Sequence, residues 1–328
     1  MAVYYCRELW HNQEGESWFR TVEISSSDIH SDQLLIESLF SMISCGTERM
    51  IFSHPPKDQA ARHMQVPYML GSFEGDFTYG YSSVGKVIVG PSEWMNRIVH
   101  VMHPHQDYMV VNQADVFPVP DFIRPEIATL ASNLETVINA IWDSGITLGD
   151  RVLIIGFGII GALLSLVIKH IPGIDLSIFE IDPERNKQCE DLGFFVSSVE
   201  DSLKKDYNVA FNTSANESGI QTAIEKVGLE GKVVELSWYG PHKVSLNLGG
   251  EFHYGRKIII SSQVSHIPVS KRNLYDFRAR KHLVFKILSE ITFDGVISKK
   301  IPYGNAPEFY KQLIEGNIRD IGVLFNYK

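Results

Sequence analysis

The apolar run over residues 152–168 is broken three times by glycine, at Gly156, Gly158 and Gly161. It is too short and too interrupted to span a bilayer. It reads instead as a buried strand over 152–155, a tight turn, and an apolar helix over 159–170. The same alternation continues downstream. Strands are expected over 176–179, 207–211, 232–236 and 257–261, with helices over 183–192 and 219–227. Pro183 stands at the first turn of one helix and Gly193 just past its end. Strands that alternate with helices build a parallel sheet with helices on both faces, so the expected class is α/β, doubly wound.

Gly156-Phe157-Gly158-Ile159-Ile160-Gly161 has the G-x-G-x-x-G spacing, directly after a strand and opening a helix. Glu180 follows nineteen residues after Gly161, at the end of the next strand. Gly156 permits the tight turn, Gly158 lets the backbone approach a pyrophosphate, and Gly161 allows close helix–strand packing. The phosphates then face unpaired N–H groups at the helix N-terminus. A carboxylate at Glu180 accepts hydrogen bonds from ribose hydroxyls and repels a 2′-phosphate, which favours NAD; Arg185 nearby leaves NADP open. Asn212-Thr213-Ser214, after the third strand, is expected on the adenosine side, and Ser237-Trp238-Tyr239 falls where ligands bind in open parallel sheets, with Trp238 and Tyr239 walling the nicotinamide or the substrate.

Residues 1 to about 120 look different, with short apolar stretches at 33–40, 83–89 and 108–111 between Gly, Pro, Ser and Asp clusters. A helix is expected over 123–143, and further helices over 274–290 and 307–315. This gives a Rossmann domain at 122–265, inserted into a β-rich domain at 1–121 and 266–328. A net charge of −9 argues against a nucleic-acid or anionic-membrane partner. Three scattered cysteines form no disulfide framework, and no signal peptide is apparent, so a cytoplasmic protein acting on a small molecule is expected. The apolar edge strand at 257–261 implies a homodimer.

Several segments resemble the medium-chain dehydrogenase/reductase family, of zinc-type alcohol dehydrogenase-like proteins. Ile43-Ser44-Cys45-Gly46-Thr47-Glu48 is similar to its G-I-C-G-[ST]-D segment. Gly80-Tyr81-Ser82-Ser83-Val84-Gly85-Lys86-Val87 matches G-H-E-x-x-G-x-V except at His-Glu, and residues 145–153 match the entry to the first Rossmann strand. The reading I-S-x-G-T-E-R and Y-G-Y-x-x-V-G is similar to a zinc-less branch that includes the bacteriochlorophyllide hydroxyethyl dehydrogenases. The resemblance implies a GroES-like β-rich catalytic domain beside the Rossmann domain. It also implies that Arg319, in Asn317-Ile318-Arg319, reaches the pyrophosphate, and that Thr136 touches the nicotinamide.

At the positions of the family's metal ligands only Cys45 keeps a ligand-type side chain; Tyr81 and Ser132 fill the other two. A phenol and a neutral hydroxyl are poor zinc ligands, so no metal is expected, with Cys45 and His103 or His105 left as a non-standard alternative. Without zinc, side chains must polarise the substrate oxygen and supply the proton. Tyr81 and Thr47 resemble pocket-lining positions, His105 can shuttle a proton, and Glu135 can serve as a buried acid. The histidine that continues the family's relay from Thr47 is absent. The resulting expectation is a zinc-independent NAD(P)-dependent enzyme moving a hydride between nicotinamide and a secondary alcohol or ketone. Its alternatives are an enoyl or quinone reductase, or a dinucleotide-binding protein without turnover.

Overall fold

The computed structural model describes residues 2–328. The chain forms two compact units: residues 2–132, 297–318 and 322–328 make the first, and residues 133–296 with 319–321 the second.

The first unit opens with a hairpin of β1 (Val3–His11) and β2 (Ser17–Ser25), followed by β3 (Gln33–Ile43). Helices α1 (Cys45–Ser53) and α2 (Asp58–Met64) precede β4 (Phe77–Thr78). Then come β5 (Ser83–Val89), β6 (Ile98–Val101), β7 (Tyr108–Asn112), β8 (Phe117–Pro118) and the short α3 (Pro125–Ala128). The second unit begins within α4 (Ala131–Ser144). It continues through β9 (Arg151–Ile155), α5 (Ile159–Ile168), β10 (Asp175–Phe179), α6 (Pro183–Asp191) and β11 (Val196–Ser197). After these come β12 (Tyr207–Asn212), α7 (Glu217–Lys226), β13 (Val227–Glu235), α8 (Glu251–Tyr254), β14 (Ile258–Ser261) and α9 (Phe277–Glu290). The chain returns to the first unit as β15 (Ile297–Pro302), α10 (Ala306–Ile314) and β16 (Gly322–Asn326).

In the second unit the sheet runs β11-β10-β9-β12-β13-β14, with every pairing parallel. Strand β9 is central, and Val152, Leu153, Ile154 and Ile155 are all buried, as a strand covered on both faces requires. Leu153, Ile155, Ala210 and Val233 pack against Ile220, Ala223 and Ile224 of α7. Helix starts follow local chemistry. The Asp182 side chain accepts from the N–H groups of Glu184 and Arg185 at the start of α6, and Asn216 caps α7 through Ser218 N.

In the first unit β3 takes part in three pairings: it lies between β16 and β5 and also pairs with β7, all antiparallel. The long helix expected from residue 123 is split in two here. Ser82 Oγ donates to the Thr129 carbonyl at 2.6 Å, and Leu130 N turns back to Ile127 O at 3.0 Å. With its carbonyl diverted and a tighter turn inserted, the helix restarts at Ala131. The boundary expected at residue 265 lies instead near residue 296, because α9 belongs to the second unit.

Candidate functional site

The glycine turn lies at the carboxyl end of β9. Gly156 has φ +92°, a conformation that side chains strongly disfavour. A Cβ at Gly161 would come within 2.1 Å of the Gly156 carbonyl oxygen, so the helix can approach the strand only with glycine there. Gly158 differs: a Cβ at that position meets nothing within 4 Å, leaving open space over the turn. Gly158 is also the N-cap of α5 and offers no side-chain cap, so the N–H groups of the first turn, which carries half-buried Ile159 and Ile160, lack a side-chain acceptor from the cap. Open space above uncapped N–H groups suits an anionic pyrophosphate.

Glu180 is buried, and its carboxylate is already engaged. Oε2 accepts from the N–H of buried Phe157 at 2.7 Å, while Oε1 accepts from Ile181 N at 2.8 Å and Asp182 N at 2.9 Å. The group that would meet a ribose therefore also fixes the turn under the phosphates. Arg319 pairs through Nε with Asp182 Oδ2 at 2.9 Å. Its own carbonyl accepts from Arg185 Nε and Gln188 Nε2. Arg185 and Arg319 are thus neighbours at the start of α6.

Beyond β12 and β13 a polar cluster gathers. Asn212 Oδ1 accepts from Ser214 N and Oγ, at 3.3 and 2.7 Å. Ser237 Oγ accepts from Ala215 N at 2.9 Å. Glu235, which the sequence reading passed over as the end of a strand, accepts from Asn212 Nδ2, Ser237 N and Tyr239 Oη. Thr136 and Trp238 are half-buried. Glu135, one residue before Thr136, is held by two buried cations: Arg280 Nε at 3.4 Å and the Lys281 ammonium. Burial pushes the pKa of both cations down, and the Glu135 charge opposes that shift.

In the first unit the residues singled out around Tyr81 come together. Burial pushes the Tyr81 phenol up to about 12, against the neighbouring Ser44 and Thr47 side chains, which pull it back. The phenol therefore keeps its proton near neutral pH. Ser132 Oγ donates to the Tyr81 carbonyl at 2.8 Å and lies 3.5 Å from His100 Nε2, which meets Ser82 Oγ at 3.0 Å. The side chains at the three ligand positions are thus a thiol, a phenol, and a hydroxyl already donating to backbone. They do not make up a tetrahedral zinc shell.

His105 is wholly buried in a different setting. Its Nδ1 meets Ser41 Oγ at 2.7 Å, and Ser41 meets Tyr327 Oη at 2.8 Å. Its Nε2 lies 3.5 Å from Glu48 Oε2. Glu48 in turn accepts from Tyr310 Oη at 2.5 Å and, through Oε1, from Ser44 N at 2.9 Å. Glu48 thus fastens the start of the helix that carries Cys45 and Thr47, and His105 stands behind it. His103 donates from Nδ1 to the Pro104 carbonyl and stacks on Tyr68. Among the described residues no group of three or more His, Cys, Asp or Glu side chains is arranged to hold a metal ion.

No protein-family model matches the chain. It is 28% identical over 123 residues to the (R,R)-butanediol dehydrogenase of Bacillus subtilis strain 168, a stretch covering 38% of this chain and 35% of that protein. The chain spans about a third to a half of the length of the curated relatives it matches. Across its whole length it is similar to the solved structure of 2R,3R-butanediol dehydrogenase from Bacillus subtilis. There the TM-score is 0.77 at 17% identity, covering 98% of this chain and 100% of the other. It is also similar to acetophenone reductase from Geotrichum candidum NBRC 4597, solved in complex with NAD, with a TM-score of 0.73 at 14% identity, covering 98% and 97%. These proteins and their like are zinc-type medium-chain alcohol and polyol dehydrogenases. The chain has their fold, a GroES-like β-rich domain and a doubly wound Rossmann domain.

Proposed function

We propose that this chain is an NAD(P)-dependent dehydrogenase that interconverts a small secondary alcohol and its ketone, and that it works without zinc. The observation that carries the reading is the Gly156–Gly161 turn, open above Gly158 and braced from below by Glu180. A bound nicotinamide dinucleotide supplies the hydride acceptor or donor. Uncapped N–H groups at the start of α5 bind its pyrophosphate, Glu180 presents its remaining acceptor capacity to the adenosine ribose, and Ser237 and Trp238 lie toward the other half.

Tyr81 is assigned to the substrate oxygen. Its phenol carries a proton at neutral pH, and the Ser44 and Thr47 side chains lie beside it. A hydrogen bond from Tyr81 stabilises negative charge developing on that oxygen. Thr47 is assigned to the same oxygen. Glu135 acts through position, as counter-charge to Arg280 and Lys281. His105 supports the helix of Thr47 through Glu48.

The test is a titration with NADH and NADPH, followed by assay against secondary alcohols, ketones and enones. Oxidation of secondary alcohols with NAD supports the reading. Turnover confined to enones replaces it with a double-bond reductase, and binding without turnover replaces it with a nucleotide-binding protein.

A further inference from the structure

Strand β9 carries the glycine turn and is flanked by β10 on one side and by β12, then β13, on the other. Glu180 follows directly after β10, so the adenosine half of a dinucleotide lies toward β10. A molecule laid across the turn must then carry its other half over the carboxyl ends of β12 and β13. Glu235 is the last residue of β13, and it stands in register with Asn212 of β12.

The Glu235 carboxylate is held by three donors. Oε2 accepts from Asn212 Nδ2 at 2.7 Å and Tyr239 Oη at 3.2 Å, and Oε1 from Ser237 N at 2.7 Å. Among the described residues none of its partners is a cation. Dipoles fix the group in place while leaving its negative charge uncompensated. The half-buried setting weakens solvent screening of that charge. The oxidised nicotinamide ring is a cation and the reduced ring is neutral, so a fixed carboxylate near it distinguishes the two forms.

We infer that Glu235 is a specificity residue that favours the oxidised nicotinamide over the reduced one. The inference rests on reading the glycine turn as a dinucleotide site. In that role Glu235 poises the protein toward binding NAD+ and releasing NADH, the direction of alcohol oxidation. Asn212 and Tyr239 act through it, holding the carboxylate still.

The experiment measures binding of NAD+, NADH and ADP-ribose to the full chain, to Glu235→Gln and to Glu235→Asp. Glutamine keeps the shape and removes the charge, whereas aspartate keeps the charge and shortens the reach. The expected result for Glu235→Gln is NAD+ binding weakened at least about fivefold, with NADH and ADP-ribose changed less than about twofold. Glu235→Asp should keep most of the NAD+ preference, and it serves alone if the glutamine variant fails to fold. Equal weakening of NAD+ and NADH in either variant would show a brace for the turn and overturn the inference. So would no change in Glu235→Gln, or loss of the NAD+ preference in Glu235→Asp. If the unmodified chain binds ADP-ribose, any such failure belongs to Glu235 alone. If it binds none of the three ligands, the dinucleotide reading falls and the inference falls with it.

Discussion

Glu180 Oε2 accepts the backbone N–H of Phe157 at 2.7 Å, tying the end of one strand to the turn after its neighbour. One carboxylate therefore shapes the glycine turn, and in the proposed reading it also meets the adenosine ribose. Of its two oxygens, Oε1 already serves two N–H groups and Oε2 serves one. The carboxylate keeps acceptor capacity for a ribose hydroxyl, and its charge repels a phosphate dianion. NAD(H) should bind at least about tenfold more tightly than NADP(H), or roughly 1.4 kcal/mol. Glu180→Ala should weaken both by loosening the turn, and should narrow the gap between them. Fluorescence titration decides it; equal affinity in the unmodified chain would remove Glu180 from cofactor choice.

A second expectation concerns Glu135. Its side chain neutralises part of a buried cluster with Arg280 and Lys281, and Arg280 also donates to Asn139 Oδ1 and the Val264 carbonyl. Removing the anion leaves two cations without it in a dry setting, which typically costs about 3–5 kcal/mol. Glu135→Gln should lower the urea midpoint sharply. Any protein that remains folded should bind NADH normally. A stable variant with impaired turnover would instead make Glu135 an acid in the reaction.

These two residues illustrate what could be read from the chain alone. The glycine spacing, the apolar strand before it and the acidic residue after the next strand are local features, so the turn and Glu180 were legible. The Glu135 cluster was not, because α9 lies 145 positions away and shows its two cations in an ordinary charged helix. The Glu48–His105 network joins residues on β3, α1, the segment before β7, α10 and the last residues of the chain. No period of 2.0 or 3.6 residues reveals such a meeting. Helix α1 was hidden for a simpler reason: Cys45-Gly46-Thr47 is poor helix material, and Glu48 compensates by accepting the Ser44 N–H. The split at Thr129 was equally invisible, since its cause, Ser82, is remote in sequence.

Acid should destabilise the protein through His103. Burial holds its pKa down at about 4, against an ordinary value of 6.5. Below pH 6.5 the unfolded chain takes up a proton there that the folded chain refuses, so stability falls as pH drops toward 4. The slope is about 1.4 kcal/mol per pH unit for one such group. His11 is also lowered by burial and adds in the same direction. Urea melts between pH 7 and 4.5 should show the loss, and His103→Gln should flatten it. A pH-independent midpoint across that range would count against the assignment.

Strand β14 lies at the edge of its sheet, and Ile258 is 44% exposed there. An apolar edge invites pairing with another strand. A homodimer through β14 is the expected state, and Ile258→Glu should move it toward monomer. Light scattering at micromolar concentration gives the answer, and a monomeric unmodified chain would refute the pairing.

The last expectation concerns the three positions around Cys45. By the family resemblance those positions would hold a metal; here Tyr81 presents a phenol that keeps its proton, and Ser132 Oγ donates to the Tyr81 carbonyl at 2.8 Å. One cysteine sulfur cannot by itself complete a tetrahedral shell, and His103 and His105 are engaged elsewhere. His105 faces Ser41 and Glu48, and His103 donates to Pro104. Chelator should therefore leave the melting temperature and activity unchanged, and elemental analysis should find well below one zinc per chain. Cys45→Ser should be mild. Tyr81→Phe should lower kcat by about tenfold to a hundredfold, the scale of one lost hydrogen bond to a developing alkoxide, with NADH affinity intact. Thr47→Val should fall between these, since it removes a hydroxyl that lies beside the Tyr81 phenol. A stoichiometric zinc lost together with activity would overturn the metal-free reading. Unchanged turnover in Tyr81→Phe would spare that reading and move the oxygen-binding role to another side chain.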